Sequence, residues 1–337
     1  LYQENRSFLP SEQVITFTDL DGRLLALKPD VTLSIAKTAQ PAPGETLRYY
    51  YHENIYRPSA ESHTFKEIGQ MGLEMLGDVG EGQVRQAVSL AAQSLEQLGQ
   101  PWVLEISHMG FVTGLFDAVG AQEAVRPRLL TCIRDKNVHE LRKAAEAAGL
   151  SRQGTDALCR LGTLAGPWQE VLAAAEVLAL NAAMGAALEE LRGLCRALED
   201  QGQTDHWKLD FSLVNSMDYY NGVIFQGFLP KIPFPVLSGG RYDNLPRKMG
   251  KEVGAIGFAL YMGRLEQFFG QERQYDADVL LTYGPDADLV KLAAFAERLR
   301  QEGRSVRCER ETGQPCPVRC RKKVRYTDGI GPEEVLV

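Results

Sequence analysis

Residues 209–225, LDFSLVNSMDYYNGVIF, constrain the fold of this chain most. Leu209, Phe211 and Leu213 alternate with Asp210, Ser212 and Val214, the period of a half-buried strand. Asn221 and Gly222 tolerate positive φ and mark a hairpin or tight turn, after which Val223, Ile224 and Phe225 begin a second strand. Between the strands stand Asp218, Tyr219 and Tyr220. Two phenols and a carboxylate on a bend can enclose and orient a small polar ligand. The same residues also suit a plain tyrosine pair packed at a strand end.

Other stretches read as partners of this one. Val14–Thr18 and Leu24–Leu27 form a hairpin around an Asp-Gly turn. Pro29 starts a helix that carries Leu33, Ile35, Ala36 and Ala39, which places Asp30 and Thr32 in its first turn. Leu47–Arg57 and Phe65–Leu76 read as strands flanking a polar loop, because Gly69 and Gly72 weaken a helix and Gln70 and Glu74 share one strand face. A guanidinium at Arg57 near that amide and carboxylate suits a zwitterion or a phosphate. Asp78–Leu98 is an amphipathic helix and Trp102–Ser107 a strand. Residues 111–201 are alanine-rich and read as an inserted helical layer. Gly239 and Gly240, followed by Arg241 and Tyr242, let the backbone approach something closely. Val253–Phe268 is a glycine-bearing strand entering a helix that holds Arg264, an arginine expected to meet an anion.

The remainder, residues 275–337, begins as a βαβ pattern, so a small separate α/β domain is expected after a larger one at 1–270. Its end reads as one more helix-to-strand unit. The basic run Arg319, Arg321, Lys322, Lys323 and Arg325 then falls on a solvated helix face in preference to a nucleic-acid site. The 337 residues are 44% hydrophobic, ample for two cores, and the net charge of -7 excludes a wholesale nucleic-acid coat. Cys132, Cys159 and Cys195 sit in helical patterns, and Cys316 and Cys320 lack a second ligand pair, so neither zinc nor another metal is expected. Reduced thiols, no signal-peptide pattern and no membrane-length apolar run point to the cytosol. The chain opens on Leu1 within a loop-like segment and ends on Val337 in an apolar run, which suggests a piece of a longer protein.

Together these stretches resemble the histidyl-tRNA synthetase family, over nearly the whole chain. LKPDVT at 27–32 matches its LRPEGT-like segment, QMGLE at 70–74 its QIGVE segment, DYYNG at 218–222 its LDYYTG, and GGRYD at 239–243 its GGRYD. Tyr56-Arg57 resembles the end of motif 2, and GFALYMGRL at 257–265 is similar to motif 3. The resemblance implies an α+β fold: a class II synthetase-like antiparallel sheet with flanking helices, a helical insertion and a small C-terminal α/β domain of anticodon-binding type. It implies a histidine site of Asp30, Thr32, Arg57, Gln70, Glu74, Tyr219, Tyr220 and Tyr242, with ATP contacts at Arg57 and Arg264.

The departures matter as much. An arginine that stabilises phosphoryl charge in the synthetases is Asn215 here, followed by Ser216, and the motif 3 glutamate is Gly263. A neutral amide cannot supply that cation, a loss of roughly 10³ or more in rate. This pattern resembles the synthetase-like regulatory subunits of ATP phosphoribosyltransferase, and RDKNVHEL at 134–141 looks like a segment of theirs. Such a resemblance implies no catalytic residues, no cofactor, L-histidine as ligand, a short-form catalytic subunit as partner and a homodimer within a hetero-oligomer. The alternative is an active histidine–tRNA ligase, with ATP, Mg and tRNA.

Overall fold

The computed structural model describes residues 14–59, 63–202, 206–215, 217, 219–269, 275–313, 316–327 and 331–335. Ser216, Asp218 and the centre of the 58–64 loop lie outside these. The chain divides into two compact units, Leu1–Glu266 and Gln267–Val337.

The larger unit opens with the hairpin β1 (Thr16–Thr18) and β2 (Leu24–Ala26), turned by Gly22 at φ +78°. Helix α1 (Thr32–Thr38) follows. It starts later than the Pro29 signal suggests: Asp30 precedes it and its Oδ1 accepts from the Leu33 N–H at 2.7 Å. Two long strands, β3 (Thr46–Ser59) and β4 (Thr64–Gly77), pair antiparallel along their length. Helix α2 (Glu81–Glu96) buries Val84, Ala87, Val88, Ala91 and Leu95, a stripe at helical period. Each larger member contributes about 1.5–3 kcal/mol of burial.

Strand β5 (Val103–His108) leads into the helical layer: α3 (Met109–Ala118), α4 (Arg126–Arg134), α5 (Val138–Ala147), α6 (Arg152–Leu161), the short β6 (Ala165–Gly166), α7 (Trp168–Glu176) and α8 (Ala182–Asp200). Side-chain caps mark four starts here, the first of them at α3, where His108 Nδ1 accepts from the Gly110 N–H at 3.1 Å. Asn137, Ser151 and Asn181 each accept from an N–H three residues on. The Asn181 amide also donates to the Gly114 carbonyl at 2.8 Å, tying α8 to α3.

The chain then returns to the sheet as β7 (Trp207–Asp210), β8 (Val223–Phe228) and β9 (Leu237–Arg241), turns through α9 (Asn244–Lys248), and closes with β10 (Gly254–Tyr261) and α10 (Met262–Phe269). The eight strands lie in the order β3-β4-β10-β9-β8-β5-β7-β6. Every pair is antiparallel except β5 with β7. One core joins α2, α3 and α8 to the sheet; a smaller one gathers Leu33, Ala36, Leu76, Tyr242, Leu245 and Ala255 under α1.

The hairpin expected at 209–225 does not form. Strand β5 stands between β7 and β8, parallel to one and antiparallel to the other. A link of this length has no need of a two-residue turn. Gly222 serves a close approach instead: a Cβ there would meet the Arg241 Cδ at 2.9 Å.

The smaller unit holds β11 (Ala277–Tyr283), α11 (Leu289–Gln301), β12 (Val306–Arg310), β13 (Cys320–Thr327) and β14 (Gly331–Val335). β11 pairs parallel with both β12 and β13, as a βαβ unit requires. The last segment corrects the expectation of a helix: Cys320–Thr327 and Gly331–Val335 pair as antiparallel strands. The basic run therefore lies on and beside a strand. Arg319, Arg321 and Arg325 face Asp276, Asp278 and Glu311 at 3.4, 3.8 and 2.9 Å.

Candidate functional site

Glu74 is the centre of the site. It lies on β4 opposite Tyr49 of β3 and Gly257 of β10, and is 2% exposed. Its carboxylate lies across Gly257, where any Cβ would collide with Oε2 and with the Leu73 carbonyl. Thr32 Oγ1 donates to Glu74 Oε1 at 2.6 Å, and the Tyr242 hydroxyl donates to Oε2 at 2.5 Å. The Tyr219 hydroxyl is hydrogen-bonded to Thr32 in turn. One acid thus joins α1, β4 and the segment after β9. Burial pushes its carboxyl up to about 8, against the two hydroxyls, which favour the charged form.

Tyrosines enclose this carboxyl. Tyr219 meets Tyr220 edge-on with centroids 4.5 Å apart and Tyr242 at 5.8 Å. Gly240 makes room for the Tyr220 ring, whose Cδ1 stands 2.7 Å from where a Cβ would be. Burial raises the hydroxyls of Tyr219, Tyr220 and Tyr242 well above the usual phenol range, so they remain neutral donors. Asp30 stands beside this group. Burial raises its carboxyl, against the Leu33 N–H and the Arg57 guanidinium. Arg57 donates through Nε to the Pro29 carbonyl at 2.9 Å, and its Nη2 lies 3.7 Å from Asp30. Gln70 is 7% exposed and four residues from Glu74 on the same strand face.

Tyr51 is the residue that sequence reasoning missed. It pairs with Gly72, and its ring occupies the space a Gly72 side chain would take. Burial, then Glu74 and Asp30, raise its hydroxyl. The signal was present: Tyr51 lies two residues from Tyr49 and faces the glycine between Gln70 and Glu74. Tyr261, next to α10, also acts on the Tyr51 and Tyr220 hydroxyls.

Two expected residues stand apart. Arg264 donates to the Pro235 carbonyl and lies over the Tyr261 and Phe234 rings, at 4.6 and 5.6 Å from their centroids. Among the described residues its partners are a carbonyl and two π-faces, a cation–π arrangement. Asn215 is exposed and lines a cleft of about 520 Å³ against Arg126, Thr131 and Arg134 of α4. Its N–H meets the Met109 sulfur at 3.5 Å.

Two acids, one guanidinium and a wall of neutral phenols have the chemistry to hold a small cationic or zwitterionic molecule. Among the described residues no group of His, Cys, Asp or Glu could hold a metal ion, and no helix is long and apolar enough to cross a membrane.

Known proteins agree with this architecture. The histidyl-tRNA synthetase family model matches residues 4–265. An ATP phosphoribosyltransferase regulatory subunit from Symbiobacterium thermophilum is 31% identical over 307 residues, 88% of this chain and 75% of that protein. A crystal structure from Bacillus halodurans, described as an ATP phosphoribosyltransferase regulatory subunit/histidyl-tRNA synthetase, has a TM-score of 0.72 at 26% identity, covering 92% of this chain and 81% of that one. An ATP phosphoribosyl transferase complex from Thermotoga maritima shares the fold, with a TM-score of 0.60 at 18% identity over 74% of this chain and 85% of that one. The expected α+β, class II synthetase-like architecture is the fold of these neighbours. The chain belongs to the histidyl-tRNA synthetase family and, within it, to the synthetase-like regulatory subunits of ATP phosphoribosyltransferase.

Proposed function

We propose that this chain binds L-histidine and, through it, controls a short-form ATP phosphoribosyltransferase catalytic subunit in the first step of histidine biosynthesis. The observation that carries the reading is Glu74, a buried acid held between Thr32 and Tyr242 and walled by tyrosines. In this reading Glu74 and Asp30 face the imidazole and the α-ammonium, Gln70 and Arg57 hold the backbone end, and Tyr220 and Tyr242 close over the ring. A positive ligand would make ionisation of Glu74 favourable. Regulation then requires that histidine bind one assembly state better than another. We place the assembly in the cytoplasm, as a homodimer within a hetero-oligomer. Calorimetry tests the first part: saturable histidine binding to the isolated chain is expected, and its absence defeats the reading.

A second reading is an active histidine–tRNA ligase using ATP and Mg. The retention of Arg57 and Arg264 favours it, since both positions serve ATP in the resembling family. Asn215, a neutral amide where that family carries a cation, weighs against it. Histidine-dependent pyrophosphate exchange at an ordinary enzymatic rate would establish it.

A further inference from the structure

We infer that Lys251 is a positioning residue for the Glu74 site, bolting together the two elements that supply its hydroxyl donors. Lys251 lies in the turn between α9 and β10, outside every motif that marks the site. Its Nζ donates to the carbonyls of Ala36, Lys37 and Ala39 at 2.7, 2.6 and 2.6 Å. These are carbonyls at the end of α1, which a helix leaves without internal partners. An ammonium group has three hydrogens, and all three are used. A cation at that end also opposes the helix dipole.

The other side of the bolt is equally fixed. The Lys251 N–H donates to the Pro246 carbonyl of α9 at 3.0 Å. The α9 turn begins just after Tyr242, whose own N–H donates to the Ala255 carbonyl of β10 at 2.8 Å. Lys251 therefore links α1, which carries Thr32, to the turn that carries Tyr242. Thr32 and Tyr242 are the two donors to Glu74. Helix α1 has only seven residues, too few to hold its own geometry. Its placement over β4 depends on Leu33, Ala36 and Ala39 in the small core and on this clamp.

The inference deepens the histidine reading and rests on it only for the ligand. The test uses the full chain with two readouts. The first is the titration of Glu74 without ligand, followed by carbon NMR of labelled glutamate. The second is histidine affinity by calorimetry. Lys251→Met, which keeps the length and loses the donors, is expected to raise the Glu74 titration by about half a pH unit or more as its hydroxyl donors drift. It is also expected to weaken histidine binding roughly tenfold. Lys251→Arg, which keeps a charged donor fork, restores most of both. If Lys251→Met does not fold, Lys251→Leu, which also lacks donors, takes its place with the same readouts. A folded donor-less variant with an unmoved Glu74 titration overturns the inference. Failure of the natural chain to bind histidine sinks the regulatory reading and leaves the Glu74 titration to judge Lys251.

Discussion

Glu74 holds its proton because the sheet withholds water, and that has two measurable consequences. Folding raises its carboxyl from 4.5 to about 8. Between those values the folded chain binds more protons than the unfolded one, so this residue makes stability fall as pH rises through the window. Urea unfolding at pH 5 and pH 8 is expected to show a shallower loss in Glu74→Gln than in the natural chain. The same shift governs the ligand. A positive group arriving beside Glu74 at pH 7 expels its proton, so the apparent binding enthalpy of histidine should vary with the ionisation heat of the buffer. Glu74→Gln should shrink that dependence and weaken binding by about 10- to 100-fold, the loss of a charge-assisted hydrogen bond. Gly257→Ala carries a different expectation. Its Cβ would strike the Glu74 carboxylate and the backbone of β4, so binding should be lost although no polar group is removed. Binding that survives in Gly257→Ala would contradict the placement of Glu74.

A second buried acid couples elements rather than ligands. Asp210 ends β7 at 1% exposure and accepts at Oδ1 from the Ser212 N–H and hydroxyl, at 2.9 and 2.5 Å. Its Oδ2 accepts from Lys136 Nζ at 2.8 Å. Lys136 has a φ of +53° in the link between α4 and α5, so the helical layer reaches the sheet through a residue in a disfavoured backbone conformation. Lys136→Met leaves Asp210 with its serine alone and is expected to cost roughly 1–3 kcal/mol, read as a lower urea midpoint. Such elements were legible from the sequence where one period dominated: β3, β4 and α2 follow from alternation or a helical stripe. The hairpin at 209–225 and the final helix were misread for a shared reason. Strand order depends on which distant segment fills the space between two edges, and the end of the chain takes the form its neighbour's edge offers. Period alone carries no information on either.

For the assembly, the expectation is that the chain co-purifies with a short-form ATP phosphoribosyltransferase catalytic subunit and that histidine changes that subunit's rate only in the joint preparation. Unchanged catalytic rates on mixing, with or without histidine, would falsify the regulatory role. Retention of tRNA on filters should be weak and salt-sensitive, because three arginines of the basic run already face carboxylates. The motif residues identify the family and place Thr32, Glu74, Tyr219, Tyr220 and Tyr242 as candidates, since side-chain chemistry and short spacing are written directly in the chain. Their convergence on one carboxyl, the part of Tyr51 and the bolt at Lys251 come from contacts between segments as much as 215 residues apart. So does the shifted proton affinity of Glu74: an acid's charge state follows from the water it loses, and that loss exists only once the distant strands and helices have packed around it.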